Sequence, residues 1–422
     1  MRYKFTAPIT LILFASLILT ACGSASTTTT GGGAAATAAP AASVATAAPA
    51  PTVAPTAMPE STVAPTALPE STAAPTVMPE PTTAATTAAA GKIAILLPET
   101  KTARYESQDL PNFKAKLTAL GFDVATNLIY SNANQDASAQ QQQAEAALTN
   151  GAKVLVLDPV DSDSAAVIAD AAKAKGVPVI AYDRLIKGSD GVGYYISFDN
   201  EQVGKLQAQS LLEALKGKAD PTVVMINGSP TDNNATLFKQ GAQSVFDPLV
   251  AQKKLNIAKE YDTPDWSPDQ AQNEMTQALT ALSNKVDGVY AANDGTGGGV
   301  IAAMKAAGVK PLPPVTGQDA ELAAIQRILT GEQYMTVYKA IKPEAEAAAD
   351  LAYTLLQGKQ PDTSKVNGKV ANGKIDVPSI LLTPVAVTKS NIEGTIIADG
   401  FWKVSDICTS DYAALCTAAG IK

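Results

Sequence analysis

Two side chains of opposite charge, Asp183 and Arg184, stand next to each other in the stretch AYDRLIK. They follow the apolar run VPVIAY, which is typical of a short buried strand. An acid beside a base at a strand end has two interpretations. The two residues can form a local ion pair, or they can bind a ligand with many hydroxyl groups, because a carboxylate accepts hydrogen bonds and a guanidinium donates them. The pair alone does not decide between the two.

Similar side chains follow most of the other apolar runs. The candidate binding residues found in this way are Arg104, Tyr105, Asp183, Arg184, Asn234, Trp266, Asn293, Asp319 and Lys339. Arginine, aspartate and asparagine can each engage neighbouring hydroxyl groups through two atoms. Tyrosine and tryptophan offer flat apolar faces that suit the C–H face of a sugar ring. Aromatic residues make up only 5% of the chain, so their position at strand ends is informative. The set predicts a monosaccharide site.

Several residues at the strand ends also have a structural interpretation. Asp232 is suited to cap the helix that follows it, and so is the pair Asn293 and Asp294. Trp266 can pack against the start of the next helix. Lys339, taken alone, is typical of a solvated lysine. The binding hypothesis therefore rests on the set of residues and not on any single member.

The elements that must position these residues begin at Lys92. Short apolar runs, among them FDVATNLIY and PVTGQDA, alternate there with amphipathic stretches that we expect to be helices. Capping residues or a closing glycine mark these stretches, which are DASAQQQQAEAALTNG, DSDSAAVIADAAKAKG, NNATLFKQGAQSVFDP and SPDQAQNEMTQALTAL. This alternation predicts parallel strands with helices on both faces of each sheet. About 330 residues exceed what one core usually holds. We therefore predict an α/β fold of two similar lobes, with the chain crossing between them.

Ligands of open parallel sheets bind outside the carboxyl ends of the strands, so two facing lobes would share one cleft. We expect the N-terminal lobe to comprise residues 91–198 plus 320–382, and the C-terminal lobe 199–319 plus 383–403. The expected crossings between lobes lie near Asp199, near Asp319 and near 383–384.

The first 90 residues predict export and anchoring. A basic start and a short apolar run in residues 1–21 indicate a signal peptide. Its last three residues and the next one read Leu-Thr-Ala-Cys, which resembles the lipobox of bacterial lipoproteins. The resemblance implies a lipid on Cys22. An ordinary secretory signal is the alternative. Residues 22–90 are Ala/Thr/Pro-rich and include three tandem decamers, a composition that predicts a disordered tether. The expected location is the outer face of the cell membrane.

Composition excludes several kinds of function. The chain has no histidine, which removes the usual general base and most zinc sites, so we predict no metal, no cofactor and no catalytic residue. The net charge of −8 argues against nucleic acid as a partner. Cys408 and Cys416 lie in the tail 404–422, and we favour a disulfide over free thiols because exported proteins meet an oxidising environment.

Several stretches together resemble the D-xylose-binding proteins of bacterial ABC sugar transporters, in the type I periplasmic binding protein group. They are AYDRLI, YISFDNEQVGKLQA, GSPTDNNATLF, ANDGTGGG, GQDAEL, MTVYK and DVPSILLTP. The resemblance covers about Lys92 to Lys403. It implies a monomer of two Rossmann-like lobes with parallel sheets, joined by a three-strand hinge. Such a protein binds a sugar between its lobes and docks on a transporter permease.

The resemblance also implies roles for the candidate residues. Hydrogen bonds to the sugar are implied for Arg104, Asp183, Arg184, Asn234, Asn293, Asp319 and Lys339. Ring stacking is implied for Tyr105 and Trp266. The family more often carries tryptophan where this chain has Tyr105.

Other functions fit the sequence less well. The stretch NDGTGGGV is similar to a dinucleotide-binding turn, but Val300 takes the place of its third glycine. A glycosidase needs a carboxylic acid of raised pKa, whereas Arg184 would lower the pKa of Asp183. A sugar-responsive repressor would need a DNA-binding segment in place of the tether. The alternatives that stay open are a sugar sensor for a membrane receptor or kinase, and a binder of a related pentose or hexose.

Overall fold

The computed structural model describes residues 91–422. The predicted signal peptide (1–21), the lipidation site Cys22 and the tether 22–90 lie outside the described residues. None of the helices within residues 91–422 is both long enough and apolar enough to cross a membrane.

The described chain alternates strands and helices, as predicted. The strands are β1 (Lys92–Leu97), β2 (Leu128–Asn132), β3 (Ala152–Leu157), β4 (Val179–Tyr182), β5 (Val192–Phe198), β6 (Thr222–Asn227), β7 (Asn256–Asp262), β8 (Gly288–Ala291), β9 (Met335–Tyr338), β10 (Gly368–Ala371), β11 (Asp376–Leu382) and β12 (Val385–Thr388). The helices are α1 (Leu110–Ala119), α2 (Val124–Asn127), α3 (Ala137–Thr149), α4 (Ala166–Ala174), α5 (Asn200–Ala214), α6 (Asn233–Ala251), α7 (Pro268–Ala281), α8 (Asp294–Ala306), α9 (Leu322–Thr330), α10 (Ile341–Leu356), α11 (Val404–Ile407) and α12 (Ala413–Ala418).

The helices predicted from capping residues are present as α3, α4, α6 and α7. Two apolar runs differ from the expected strands. The run FDVATNLIY begins with the helical turn α2, because the Asp123 side chain accepts a hydrogen bond from the Thr126 N–H and caps that turn. The run PVTGQDA forms only isolated bridges at Val315 and Gln318.

The first sheet has seven strands in the order β10-β11-β5-β4-β3-β1-β2, and every pair except β10–β11 is parallel. Alternate residues of β1 point to opposite faces. Ile93 and Ile95 pack with α1 and α10, whereas Ala94 and Leu96 pack with α3 and α4. Both faces are therefore buried, which explains why β1 is apolar throughout.

The second sheet has the parallel order β7-β6-β8. Val223 and Met225 of β6 pack with α5 and α6, and Val224 and Ile226 pack with α7 and α8. The antiparallel pair β9–β12 adjoins this sheet through the bridges at Val315 and Gln318. The two sheets with helices on both faces confirm the predicted α/β fold.

The lobe limits follow from which sheet each segment joins, and we propose one change to the expected limits. The chain leaves the first sheet after β5 and leaves it again between β11 and β12, near the expected crossings. The crossing expected near Asp319 would assign α9 and β9 to the first lobe. Instead β9 pairs with β12, and α10 is the next element to pack on α1. We therefore propose that this crossing lies at residues 339–341.

The C-terminal tail packs behind the crossing strands. Cys408 and Cys416 form a disulfide. Ile407 and Cys416 are buried in one cluster with Phe198 and Tyr338, which end two of the strands that lead between the lobes. The tail is therefore part of the folded body and not an appendage.

A buried carboxyl group organises the second lobe at the start of α8. Asp294 is fully buried and accepts hydrogen bonds from Gln333 Nε2 (2.7 Å), Thr336 Oγ1 (2.9 Å) and the Glu321 N–H (2.9 Å). Burial raises the pKa of Asp294 from 3.8 to about 7 and that of Glu321 from 4.5 to about 8. The folded chain therefore binds more protons here than the unfolded chain at mildly acidic pH.

The disulfide should stabilise the tail. Replacing both Cys408 and Cys416 with serine should lower the free energy of unfolding by about 2–3 kcal/mol, because the reduced chain gains conformational entropy when it unfolds. Urea unfolding measures the change. A reductant should destabilise the wild type to the same extent and leave the double variant unaffected. Equal stability of the two proteins without reductant would contradict the prediction.

The buried carboxyls predict a pH dependence of stability. Because their folded-state pKa values are raised, the free energy of unfolding should fall as the pH rises from about 4 to about 8. Asp294→Asn should flatten this slope in urea unfolding at a series of pH values. Asp247→Asn, which removes an exposed carboxylate, is the control and should keep the slope. A slope that Asp294→Asn leaves unchanged would show that Asp294 does not titrate in this range.

Candidate functional site

A polar cavity lies where the carboxyl ends of both sheets face each other. The residues that line it are Thr102, Tyr105, Asp183, Arg184, Asp232, Asn234, Phe238, Trp266, Asn293, Gln318, Asp319 and Lys339. All of the predicted binding residues line it except Arg104, which contacts two of the lining carboxylates. The structure thus brings the predicted set together at one place between the lobes.

Asp183 is held by its main chain. The residue follows β4 in the left-handed region of backbone space, with φ of +52°. Its carbonyl oxygen accepts hydrogen bonds from Ser197 Oγ (2.6 Å) and Asn234 Nδ2 (2.9 Å). Ser197 belongs to β5 of the first sheet, and Asn234 lies in the first turn of α6 in the second lobe. The Asp183 carbonyl therefore joins the two lobes through its hydrogen bonds.

The Asp183 carboxylate faces cations. Oδ2 accepts a hydrogen bond from the Tyr105 hydroxyl (2.9 Å), and Oδ1 lies 3.5 Å from both Lys339 Nζ and Arg104 Nη1. Burial alone would raise the pKa of Asp183, but Arg104, Lys339 and Arg184 more than offset that effect and hold the pKa below its usual value. Asp183 is therefore ionised at neutral pH and acts as a pure acceptor.

Arg104 is fixed from behind. Its Nε and Nη2 donate to the two carboxylate oxygens of Asp109 (3.0 and 2.6 Å), and Nη2 also donates to Glu344 Oε2 (2.9 Å). The remaining nitrogen, Nη1, is buried without a hydrogen-bond partner among the described residues. It lies 3.5 Å from Asp183 and 3.9 Å from Asp319. One donor of a rigidly held guanidinium is thus directed toward the cavity.

Arg184 does not pair with its neighbour in sequence. Its Nε lies 3.1 Å from Asp232 Oδ2, and its Nη2 donates to the Tyr105 hydroxyl (3.2 Å). A second carboxyl group, that of Asp158, lies 3.6 Å from Nε. The local ion pair with Asp183, one of the two interpretations of the sequence, is not formed. The two side chains have different charged partners. The Tyr105 hydroxyl connects them, because it donates a hydrogen bond to Asp183 and accepts one from Arg184.

Lys339 bridges two carboxylates of different lobes. Its Nζ lies 3.5 Å from Asp183 Oδ1 and 3.4 Å from Asp319 Oδ1, and only 3% of the residue is exposed. The interpretation of Lys339 as a solvated surface lysine is therefore wrong. Asp319 Oδ1 is buried without a hydrogen-bond donor among the described residues, although Arg104 and Lys339 are near it.

Two residues that the sequence offered as helix caps both cap a helix and line the cavity. Asp232 Oδ1 accepts a hydrogen bond from the Asn234 N–H (2.8 Å), while Oδ2 accepts one from Trp266 Nε1 (3.1 Å). Asn293 Oδ1 caps α8 by accepting from the Thr296 N–H (2.9 Å), and Asn293 also lines the cavity. Capping a helix at the cleft therefore does not exclude a side chain from the site.

The two aromatic candidates have different surroundings. Trp266 packs edge-on against Phe238 at 6.3 Å, and its ring lies on Gly228, where a Cβ atom would come within 2.0 Å of the ring. Only glycine admits the ring at this place. The Tyr105 ring has the Arg104 and Arg184 guanidinium carbons 5.2 and 5.7 Å from its centre. Its surroundings are thus those of a ring packed between cations.

The cavity also has lining residues that were not among the candidates: Thr102, Asp232, Phe238 and Gln318. Thr102 and Gln318 lie within two residues of a candidate at the same strand end, so position alone could have found them. Asp232 also follows a strand, but its residue type and position fit a helix cap as well. Phe238 lies one turn inside α6, where the sequence gives no sign that it faces a site.

The cavity is small in this conformation. Its volume is about 20 Å³, which is room for about one water molecule. A larger ligand requires the side chains to move apart, and the three crossings provide a hinge for that motion. Within residues 91–422, no group of cysteine and acidic side chains is arranged to hold a metal ion.

Comparisons with known proteins agree with this architecture. Residues 93–360 match the profile of the periplasmic binding protein domain. The D-xylose-binding periplasmic protein of Escherichia coli is 39% identical over 323 residues, covering 76% of this chain and 94% of the relative. That of Haemophilus influenzae is 40% identical over 310 residues, covering 74% and 90%.

A solved structure leads to the same family. An ABC transporter solute-binding protein from Clostridium phytofermentans, with bound β-D-glucose, superposes with a TM-score of 0.70 at 31% identity. The match covers 75% of this chain and 99% of that chain. The prediction of a binding protein rather than an enzyme is confirmed by these matches. The chain belongs to the periplasmic binding protein family, with the two-lobed fold of its type I sugar-binding members.

Proposed function

We propose that the protein binds a monosaccharide, D-xylose before others, outside the cytoplasm and delivers it to the permease of an ABC transporter. The observation that carries this proposal is the charged group between the lobes: Asp183 and Asp319 as acceptors, and Lys339 and Arg104 Nη1 as donors. Identity to D-xylose-binding proteins over most of their length supports the choice of sugar.

Sugar hydroxyls suit this group because each can donate one hydrogen bond and accept others. The Lys339 contacts with Asp183 and Asp319 are 3.4–3.5 Å long, which is beyond the usual length of a charged hydrogen bond. Hydroxyl groups placed between these charges would form shorter bonds with both signs. The Trp266 ring would then cover the apolar face of the sugar.

The sugars named for the relatives differ at one carbon. In their ring forms, D-xylose lacks the hydroxymethyl group that D-glucose carries, and the ring hydroxyls are otherwise arranged alike. The same polar side chains can therefore bind the ring hydroxyls of both sugars. The space beside the fifth carbon, which carries the hydroxymethyl group in D-glucose, decides which sugar binds more tightly.

An anchor on the membrane is proposed from the sequence. The Leu-Thr-Ala-Cys stretch that ends at Cys22 and the Ala/Thr/Pro-rich segment after it support a lipoprotein whose binding domain is tethered at the cell surface.

A calorimetric panel of monosaccharides tests the proposed ligand. D-xylose should bind more tightly than D-glucose, D-ribose or L-arabinose, because the relatives at 39% and 40% identity are D-xylose-binding proteins. Tighter binding of D-glucose would contradict the choice of sugar. The absence of saturable heat with every monosaccharide would contradict sugar binding itself.

Two variants assign the binding to this cavity within the same experiment. Asp319→Asn keeps the shape of the side chain but loses its charge, and it should weaken the binding of xylose about 10- to 100-fold. Lys187→Ala removes an exposed cation from the loop after β4 and should bind like the wild type. Equal affinity of Asp319→Asn and the wild type would place the sugar elsewhere.

The anchor is tested by Cys22→Ser in the full-length chain expressed in a bacterial host. The wild type should partition into the detergent phase of a Triton X-114 extract, and the variant should not, because it lacks the thiol that carries the lipid. Identical partition of the two proteins would contradict lipidation of Cys22.

A further inference from the structure

A second group of contacts joins the lobes outside the ligand cavity. The Ser162 N–H donates to the Thr231 carbonyl (2.9 Å), and the Asn233 N–H donates to Ser162 Oγ (3.1 Å). Thr231 Oγ1 also lies 3.5 Å from the Val160 carbonyl. Val160 and Ser162 follow β3 of the first sheet, and Thr231 and Asn233 follow β6 of the second. None of these four residues lines the cavity.

The loop of the first lobe is fixed by contacts within that lobe. The Val160 N–H donates to Gln140 Oε1 (2.9 Å), and Gln140 Nε2 donates to the Asp158 carbonyl (2.7 Å). The Ser162 carbonyl accepts from the Lys187 N–H (2.8 Å). These contacts do not depend on the other lobe, so Ser162 keeps its position when the lobes separate.

The loop of the second lobe is fixed in the same way. The Ser229 and Thr231 hydroxyls are hydrogen-bonded (3.0 Å), and the Asp232 N–H donates to the Ser229 carbonyl (3.1 Å). Both partners of the contact are therefore prepared in advance. Little side-chain entropy is lost when they meet, so most of the hydrogen-bond energy can favour closure.

The contact between the lobes buries Ser162 in this conformation. Ser162 is 1% exposed although it lies on a loop, while Ser164, two residues later, is exposed. Thr231 and Asn233 of the second lobe are among the residues that contact Ser162. Opening of the cleft would return its hydroxyl and N–H to water.

We propose that Ser162 is a positioning residue that latches the closed lobes and thereby slows the escape of the bound ligand. The latch acts through the lobes and not through the sugar, so it lowers the rate of dissociation without choosing between ligands. This inference rests on the proposed function for its kinetic consequence, but the closure that it describes does not require sugar.

The test compares full-length Ser162→Ala with Ser164→Ala, which removes the exposed hydroxyl of the same loop. Ser162→Ala should release D-xylose about 3- to 10-fold faster in stopped-flow fluorescence, with an association rate close to that of the wild type. Affinities for all monosaccharides that bind should fall by the same factor. Ser164→Ala should match the wild type throughout.

A measurement without sugar separates this inference from the proposed function. Fluorescent labels on α3 of the first lobe and α6 of the second report the distance between lobes by energy transfer. Ser162→Ala should raise the ratio of open to closed molecules about 3- to 10-fold over Ser164→Ala, whether or not any monosaccharide binds. Equal ratios of open to closed molecules in the two variants would overturn the latch. A wild type that binds no monosaccharide would overturn only the proposed function.

Discussion

The structure depends on the pairing of charges that it buries between its lobes. Lys339 shares its ammonium group between Asp183 and Asp319, and all three side chains are almost completely buried. An ion removed from water without a partner costs roughly several kcal/mol. Each lobe alone would leave some of these charges without a partner. The charges are paired when the two lobes meet, or when the hydroxyls of a ligand replace the missing partner.

A second layer of side chains keeps the first layer in place. Asp109 and Glu344 hold Arg104, and Asp232 lies against both Arg184 and Trp266. Burial raises the pKa of Glu344 and of Asp232, so these supporting acids resist ionisation while Asp183 is kept ionised by its cations. Burial and neighbouring charges therefore set the protonation of the groups that build the cavity.

The sequence predicted the fold from alternating apolar runs and capping residues, and it predicted which side chains meet because strand ends share one edge of a sheet. Contacts within the site were less predictable. Arg184 stands beside Asp183 in sequence but pairs with Asp232, because successive residues at a strand end point in different directions. Phe238 lies inside α6 and lines the cavity, and β9 pairs with β12. Both depend on packing that no local pattern records.

The central claim is that the ligand replaces the contacts that Lys339 makes with Asp183 and Asp319. A crystal structure of the protein with D-xylose measures this directly. The account predicts sugar hydroxyls within hydrogen-bond distance of Asp183, Asp319, Lys339 and Arg104 Nη1, with the Trp266 ring against the sugar face. A sugar bound outside this cavity, or a complex in which Lys339 still bridges the two carboxylates, would contradict it.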